Sequence, residues 1–356
     1  MAAKRPRIVD VARLAGVSEG TVSVVLNNRV GERVRVSEET QRKIWDAVHQ
    51  LGYVANPVAQ SLARGRNRII AVFTFESIFP LDSRNFYYPF LIGIEEEADT
   101  LGYDLLLVTG SNGANRSANG SRRHIYQNGI NRLARADGAI LLGHGDRAEV
   151  NRLIDEHYPF VFVGRRDSPN DSISYAAADY AQATAAIVDY LFQHHHRSIA
   201  YIRTPITNES SVNRQAGIQH AHQQAGIHLP SSRVVTSDED TLTLEQLQAF
   251  REQGVTAFIA ENDLLGGRIL ALTQAAGWHC PRDFSLAVLG DPLSMVESVY
   301  PWTTFKIPRL AMGRDAVRLL VRMLNEDDSE RETPYRSLLP CTFVPGQTVA
   351  DARANP

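Results

Sequence analysis

Cysteine is scarce in this 356-residue sequence, with only Cys280 and Cys341. Two thiols cannot build a disulfide framework, and their spacing fits no zinc pattern. No stretch reaches the roughly 18 consecutive apolar residues of a membrane span. The opening MAAKRPRIVD has positive charge but no apolar run behind it, so a secretory leader is not expected. Phosphate-binding loops are missing as well. GHGDRA (143–148) matches G-x-G-x-x-A after an apolar run, but it lacks a suitably placed acid and reads as a chance match in an ordinary loop. GSNGANRSANGS (110–121) has no Lys-Ser/Thr pair and reads as loop composition. The HHH tract (194–196) ends a helix rather than completing a metal cluster, and no serine–histidine–acid arrangement is supported by spacing. The expectation is a soluble, cytoplasmic protein with no catalytic residues, no cofactor and no bound metal.

What is present is asymmetric. The net charge is only −3, yet residues 1–68 hold 12 Lys+Arg against 6 Asp+Glu, while the remainder holds 25 against 34. A basic head on an acidic body points to an anionic partner for the head alone. The length and the 44% apolar content suffice for two or three domains with buried cores.

The head reads as helices. Ile8, Val11, Ala12 and Ala15 recur on one helical face, and Gly16 can supply the left-handed turn that stops it. Ser18 suits an N-cap for a second helix. In that helix Val22, Val25 and Leu26 point inward, while Glu19, Gly20, Ser23, Val24 and Asn27 point away. Helix, tight glycine turn, helix is the arrangement whose second helix enters the DNA major groove. Ser37 caps a third helix, Ile44, Val48 and Leu51 form its inner stripe, and Gly52 ends it. In ANPVAQSLARGRNR (55–68), Asn56 and Pro57 start a helix that Gly65 stops. About two turns long, it falls well short of the roughly 12–15 residues a lone helix needs in water. A plain basic linker is the alternative.

From residue 69 the pattern becomes strand–helix alternation. RIIAVFTF (68–75), YDLLLVT (103–109), GAILLG (138–143) and FVFVG (160–164) form one series. SIAYIR (198–203), RVVT (233–236), TAFIA (256–260) and SLAVLG (285–290) form another. Near-continuous apolar strands between helices argue for parallel sheets covered on both faces, and two series argue for two lobes. Ligands of such sheets bind beyond the carboxyl ends of the strands, which here means a cleft between lobes.

On these motifs the sequence resembles the LacI family of bacterial transcription regulators across nearly all of residues 7–346. The head resembles it through IVDVARLAGVSEGTVS, VSEETQRKIWDAVHQLGY and NPVAQSLARGR. The body does so through FLIGIEEEADTLGYDLLL, ADGAILL, the DYAQAT…HRSIAYI block (179–202), NRQAGI, FIAENDLLGGRILAL and TTFKIPRLAMGRDAVRLL. The resemblance implies an all-α helix-turn-helix head (1–54), a hinge helix and linker (55–68), and an α/β body (69–346) of two doubly wound parallel-sheet subdomains, with a tail at 347–356. The lobes would comprise about 69–166 plus 299–331, and 167–298 plus 332–346. The implied assembly is a homodimer on a pseudo-palindromic double-stranded operator, with a small effector, most simply a sugar, in the body.

The same resemblance assigns residues. Ser18, Thr21, Ser23 and Asn27 would bind backbone or flank bases, Tyr53 and Asn56 would contact phosphate, and Arg35 would reach backbone or a base. Glu19, Gly20 and Val24 occupy the operator-choosing positions. Glutamate can accept from cytosine N4 and valine can pack on a thymine methyl; a helix-capping role for Glu19 is the alternative. Ala59 would face the minor-groove floor, and Leu62 would wedge between base pairs. In the body, Arg214 and Asn262 would face the ligand, with Asp291 standing second in a motif that usually carries two aspartates. Gly290 replaces the first. Phe86 or Tyr87 would stack on a sugar face, a core or dimer contact being the alternative for either, and Trp302 would line the cleft. His195 stands where a turn glycine is usual. An α/β enzyme with a DNA-binding head, or a solute-binding protein, would be the competing readings; fold alone decides neither.

Overall fold

The computed structural model describes residues 6–26, 35–54, 66–75, 86–109, 123–167, 172–205, 207–291, 301–326 and 333–354. The chain divides into two units, 1–68 and 69–356.

In the first unit, α1 (Ile8–Ala15) ends where Gly16 adopts φ 69°. Ser18 accepts the Thr21 N–H through its hydroxyl at 3.1 Å and starts α2 (Glu19–Leu26). Ser37 does the same for Thr40 at 3.3 Å, opening α3 (Glu38–Leu51), which Gly52 closes at φ 59°. These caps satisfy backbone groups that a helix end leaves without partners. The three helices bury Val11, Ala12, Val22, Val25, Ile44 and Ala47 in one small core.

The second unit begins with β1 (Ile69–Thr74), α4 (Tyr88–Thr100) and β2 (Asp104–Val108), followed by a hairpin of β3 (Tyr126–Gln127) and β4 (Ile130–Asn131). Next come β5 (Gly138–Leu142), α5 (Arg147–Asp155), β6 (Phe160–Val163), β7 (Tyr175–Ala178) and α6 (Tyr180–Gln193). A second run holds β8 (Ile199–Arg203), α7 (Glu209–Gln224), β9 (Val234–Thr236), α8 (Leu244–Glu252), β10 (Ala257–Ala260), α9 (Asp263–Ala275) and β11 (Ser285–Val288). Last are β12 (Thr304–Lys306), α10 (Arg309–Asn325), β13 (Arg336–Leu339) and β14 (Thr342–Val344).

The first sheet has the order β13-β7-β6-β5-β1-β2, and the second β11-β10-β8-β9. Every pairing within them is parallel. A short antiparallel ribbon joins β12 to β14. All eight strands expected from aliphatic runs are present. The expected lobe boundaries need correction. The resemblance puts residues 175–178 and 336–339 in the second lobe, but β7 pairs with β6 and β13 pairs with β7 in the first sheet. The β7 sequence, YAAA, is buried throughout yet too small to stand out as an aliphatic run. Residues 347–354 of the tail are tied to the body. The Leu286 N–H donates to the Thr348 carbonyl at 2.7 Å, and the Ala352 N–H to that of His194 at 2.9 Å. His195 adopts φ 65°, the conformation a turn glycine would take.

Helices α4 and α10 cross at glycine. A Cβ on Gly93 would run into the Leu310 carbonyl, and one on Gly313 into that of Phe90. Beside the crossing Arg318 grips the buried Glu97 with two bonds, at 2.9 and 2.8 Å. Gly93→Ala is expected to cost about 1–3 kcal/mol, the usual range for overpacking. Urea unfolding of the body should show a lower midpoint at unchanged slope.

Candidate functional site

Helix α2 is held by Val22 and Val25 and turns its opposite face outward. Ser18, Glu19 and Gly20 are exposed, and Thr21, Ser23 and Val24 are half-buried. The Ser18 and Thr21 hydroxyls lie 2.8 Å apart, so the first turn is bound to its own cap. With no side chain at Gly20, the face is shallow at its centre. Arg35 is exposed, while Tyr53 packs against the head core and donates its N–H to the Val48 carbonyl at 3.0 Å. Asn27, Asn56, Ala59 and Leu62, with the expected hinge helix, lie outside the described residues.

In the body, the carboxyl ends of both sheets converge on a cavity of about 280 Å³. It is lined by residues that follow strands or open helices: His144 after β5, Tyr180 at the start of α6, Thr204 after β8, and Glu261 and Asn262 after β10. Helix α7 adds Arg214, the end of β11 leads to Gly290 and Asp291, and Arg309 opens α10.

Two ion pairs dominate it. The Arg214 guanidinium lies over the Tyr180 ring at 4.7 Å, with Nη1 at 3.8 Å from Glu261 Oε1. Glu261 is only 2% exposed, and its other oxygen accepts the Thr204 N–H at 2.6 Å and hydroxyl at 2.9 Å. Arg309 lies over Phe86 at 5.0 Å and donates to Asp291 at 2.5 Å, while the other Asp291 oxygen accepts the Ile307 N–H at 3.0 Å. Burial pushes the Tyr180 phenol up, so it stays neutral. Arg214 Nε, Arg309 Nε and Glu261 Oε1 are buried with no hydrogen-bond partner among the described residues. Such groups carry a desolvation cost that a polar ligand can offset once side chains adjust. Asn262 spends Oδ1 on the Leu265 N–H at 2.9 Å, capping α9.

Of the residues expected at the cleft, Phe86, Arg214, Asn262 and Asp291 come together around this cavity. Two do not. Tyr87 is absent from the lining and packs edge-on against Phe86, with centroids 5.4 Å apart. Trp302 is 5% exposed in the second-lobe core, its indole against Gly266, where the missing side chain leaves room for it. Sequence reading missed Glu261, Arg309 and His144. Each stands directly at or shortly past a strand end, a positional signal that could have marked them. Gly290 also gains a consequence. Its φ is 102°, and a Cβ there would sit 3.6 Å from Arg214 Nη2, so Glu261 provides the carboxylate beside Arg214 where an aspartate is missing.

Among the described residues, no group of His, Cys, Asp and Glu side chains could hold a metal ion, and no helix is long and apolar enough to cross a membrane. A helix-turn-helix unit followed by a two-sheet body with a polar cavity defines a DNA-binding regulator architecture. Comparison with known proteins agrees for both units. Residues 7–56 match the model of the bacterial regulatory proteins of the lacI family, and residues 188–349 match that of the periplasmic binding protein-like domain. The transcriptional regulator CelR of Thermobifida fusca is 29% identical over 342 residues, covering 94% of this chain and 96% of its own. A solved CelR–cellobiose complex aligns with TM-score 0.62 at 27% identity over 97% of this chain and 100% of that one. The lac repressor dimer bound to operator and an anti-inducer aligns with TM-score 0.69 at 22% identity, covering 98% and 100%, a likeness of fold. The head is thus a lacI-family regulatory domain and the body a periplasmic binding protein-like domain, the pair of domains of LacI-family transcriptional regulators such as CelR.

Proposed function

We propose that this regulator is a cytoplasmic, non-enzymatic repressor that binds a pseudo-palindromic operator as a homodimer and releases it when a sugar occupies the body cleft. The observation that carries the effector half is the cavity around Arg214, where two arginine Nε donors and one Glu261 oxygen are buried without a hydrogen-bond partner among the described residues. A polyhydroxylated ligand supplies both kinds of partner. The solved CelR–cellobiose complex supports the same reading.

In this reading α2 lies in the major groove. Glu19, Gly20 and Val24 face base edges, each good contact being worth about 1–3 kcal/mol of discrimination. Ser18, Thr21, Ser23, Asn27, Arg35, Tyr53 and Asn56 hold the backbone, and Ala59 and Leu62 enter the minor groove. In the cleft Arg214, Asn262 and Asp291 grip hydroxyls while Phe86 lines the sugar face. The ligand acts by preferring one arrangement of the lobes, and a switch from mostly bound to mostly released takes about 5.5 kcal/mol of such preference.

The test is an operator selected from randomised palindromes, followed by mobility-shift titration with single sugars. Binding to a two-fold site, lost on adding one sugar that is recovered unchanged, is the expected result. Asymmetric binding, tighter binding with sugar, or turnover of the sugar would each overturn a named part of the reading.

A further inference from the structure

The interlobe cleft does not end at the Arg214 cavity. A larger space of about 560 Å³ adjoins it, and His144 and Asn208 line both. The two shared residues touch each other. Asn208 Oδ1 is already engaged by the Ser211 N–H at 2.9 Å and the Ser210 hydroxyl at 2.6 Å. Only Asn208 Nδ2 is left to donate to His144 Nε2, 3.0 Å away, so that ring nitrogen is the unprotonated one. Beyond it Arg166 ties the first lobe to α7 through Glu209 at 3.0 Å, and lies over the Phe162 ring at 5.2 Å.

The outer chamber has two kinds of wall. Val150, Phe162 and Ile173 form an apolar floor, and Val212, 55% exposed on α7, adds an apolar flank. Arg147, Asn151 and Thr207 form an exposed polar rim. The side chains of Arg147 and Asn151 make no hydrogen bond or ion pair among the described residues, although they face the chamber. An apolar floor under a polar rim is complementary to a pyranose ring, whose C–H face is apolar and whose edge carries hydroxyls. Size points the same way. The inner cavity alone, about 280 Å³, falls just below the roughly 300–1,000 Å³ of small-molecule sites. Inner and outer spaces together fall well within that range.

We infer that the effector is a two-ring glycoside, with one ring in the Arg214 cavity and the second in the outer chamber over Val150 and Ile173. This rests on the sugar-effector reading above. The linkage passes the His144–Asn208 pair and replaces their contact. Asn208 Nδ2 then donates to the inter-ring oxygen and His144 Nε2 accepts a ligand hydroxyl, so neither side chain loses a partner. Arg147 and Asn151 meet the hydroxyl edge of the second ring.

The experiment is isothermal titration of the full-length dimer with glucose, galactose, cellobiose, lactose and maltose, alongside operator release. The expected result is one two-ring sugar binding at least 30-fold tighter than its constituent single rings. Val212→Trp, which fills the chamber from an exposed position, should erase that advantage while leaving the melting temperature and single-ring affinity unchanged. Arg147→Ala should weaken the two-ring sugar five- to tenfold. If a single ring binds as tightly as its disaccharide, or Val212→Trp leaves disaccharide affinity intact, the outer chamber is no part of the site and the sugar reading survives. If none of the sugars binds, both fall together.

Discussion

Arg214→Met should abolish the ligand response and leave operator binding without ligand intact. The guanidinium is held between the Tyr180 ring and Glu261, and its Nε has no partner among the described residues. Hydrogen bonds to charged groups are worth about 1.5–3 kcal/mol each, so losing two from a bound ligand weakens it by a hundredfold or more. The substitution also strands Glu261, which is 2% exposed. Breaking a buried pair from one side typically costs about 3–5 kcal/mol, and the longer 3.8 Å separation here argues for the lower end. The body should therefore melt several degrees lower. Arg214→Met combined with Glu261→Gln removes the stranded charge, and should recover most of the stability but none of the response. Titration calorimetry beside thermal melting separates the two effects. An Arg214→Met protein that still binds the effector at wild-type affinity would show that the ligand sits elsewhere.

Ile44→Asp should eliminate operator binding while effector affinity and body melting stay as they were. Ile44 is fully buried at the centre of a core made by six buried side chains. A core in a domain below about 70–80 residues rarely supplies more than 3–5 kcal/mol, and an unpaired carboxylate at its centre exceeds that. Ile44→Val, costing about 0.5–1.5 kcal/mol, should retain binding. The readout is amide dispersion of the head by NMR, with mobility shift and calorimetry on the same samples. A fall in body melting would overturn this expectation.

The parts legible in the sequence are those decided locally. Ser18 and Ser37 cap helices and Gly16 and Gly52 end them because each acts within four residues. Aliphatic runs such as FVFV and AFIA reveal strands because both their faces are buried. What stayed hidden depends on partners far along the chain. Tyr175–Ala178 becomes a strand only between β6 and a segment 161 residues later, and the Arg336–Leu339 edge strand has partly exposed residues along its length. Trp302 reads as a cleft aromatic until Gly266 gives it a slot in the core. Only the fold brings Asp291 and the Phe86 ring around Arg309. In the cleft, the sequence supplied the polar residues of α7 and α9, and the tertiary fold supplied the acid and the second arginine that set their charge.

The late arrival of β13 has a consequence for synthesis. The three head helices are complete once Gly52 has emerged from the ribosome, whereas the first sheet lacks its edge until Leu339 follows. A nascent chain thus carries a finished DNA reader long before it carries a finished sensor. A product released between α10 and β13 would keep the reader and leave β7 as an open strand edge, an invitation to pair with another unfinished copy.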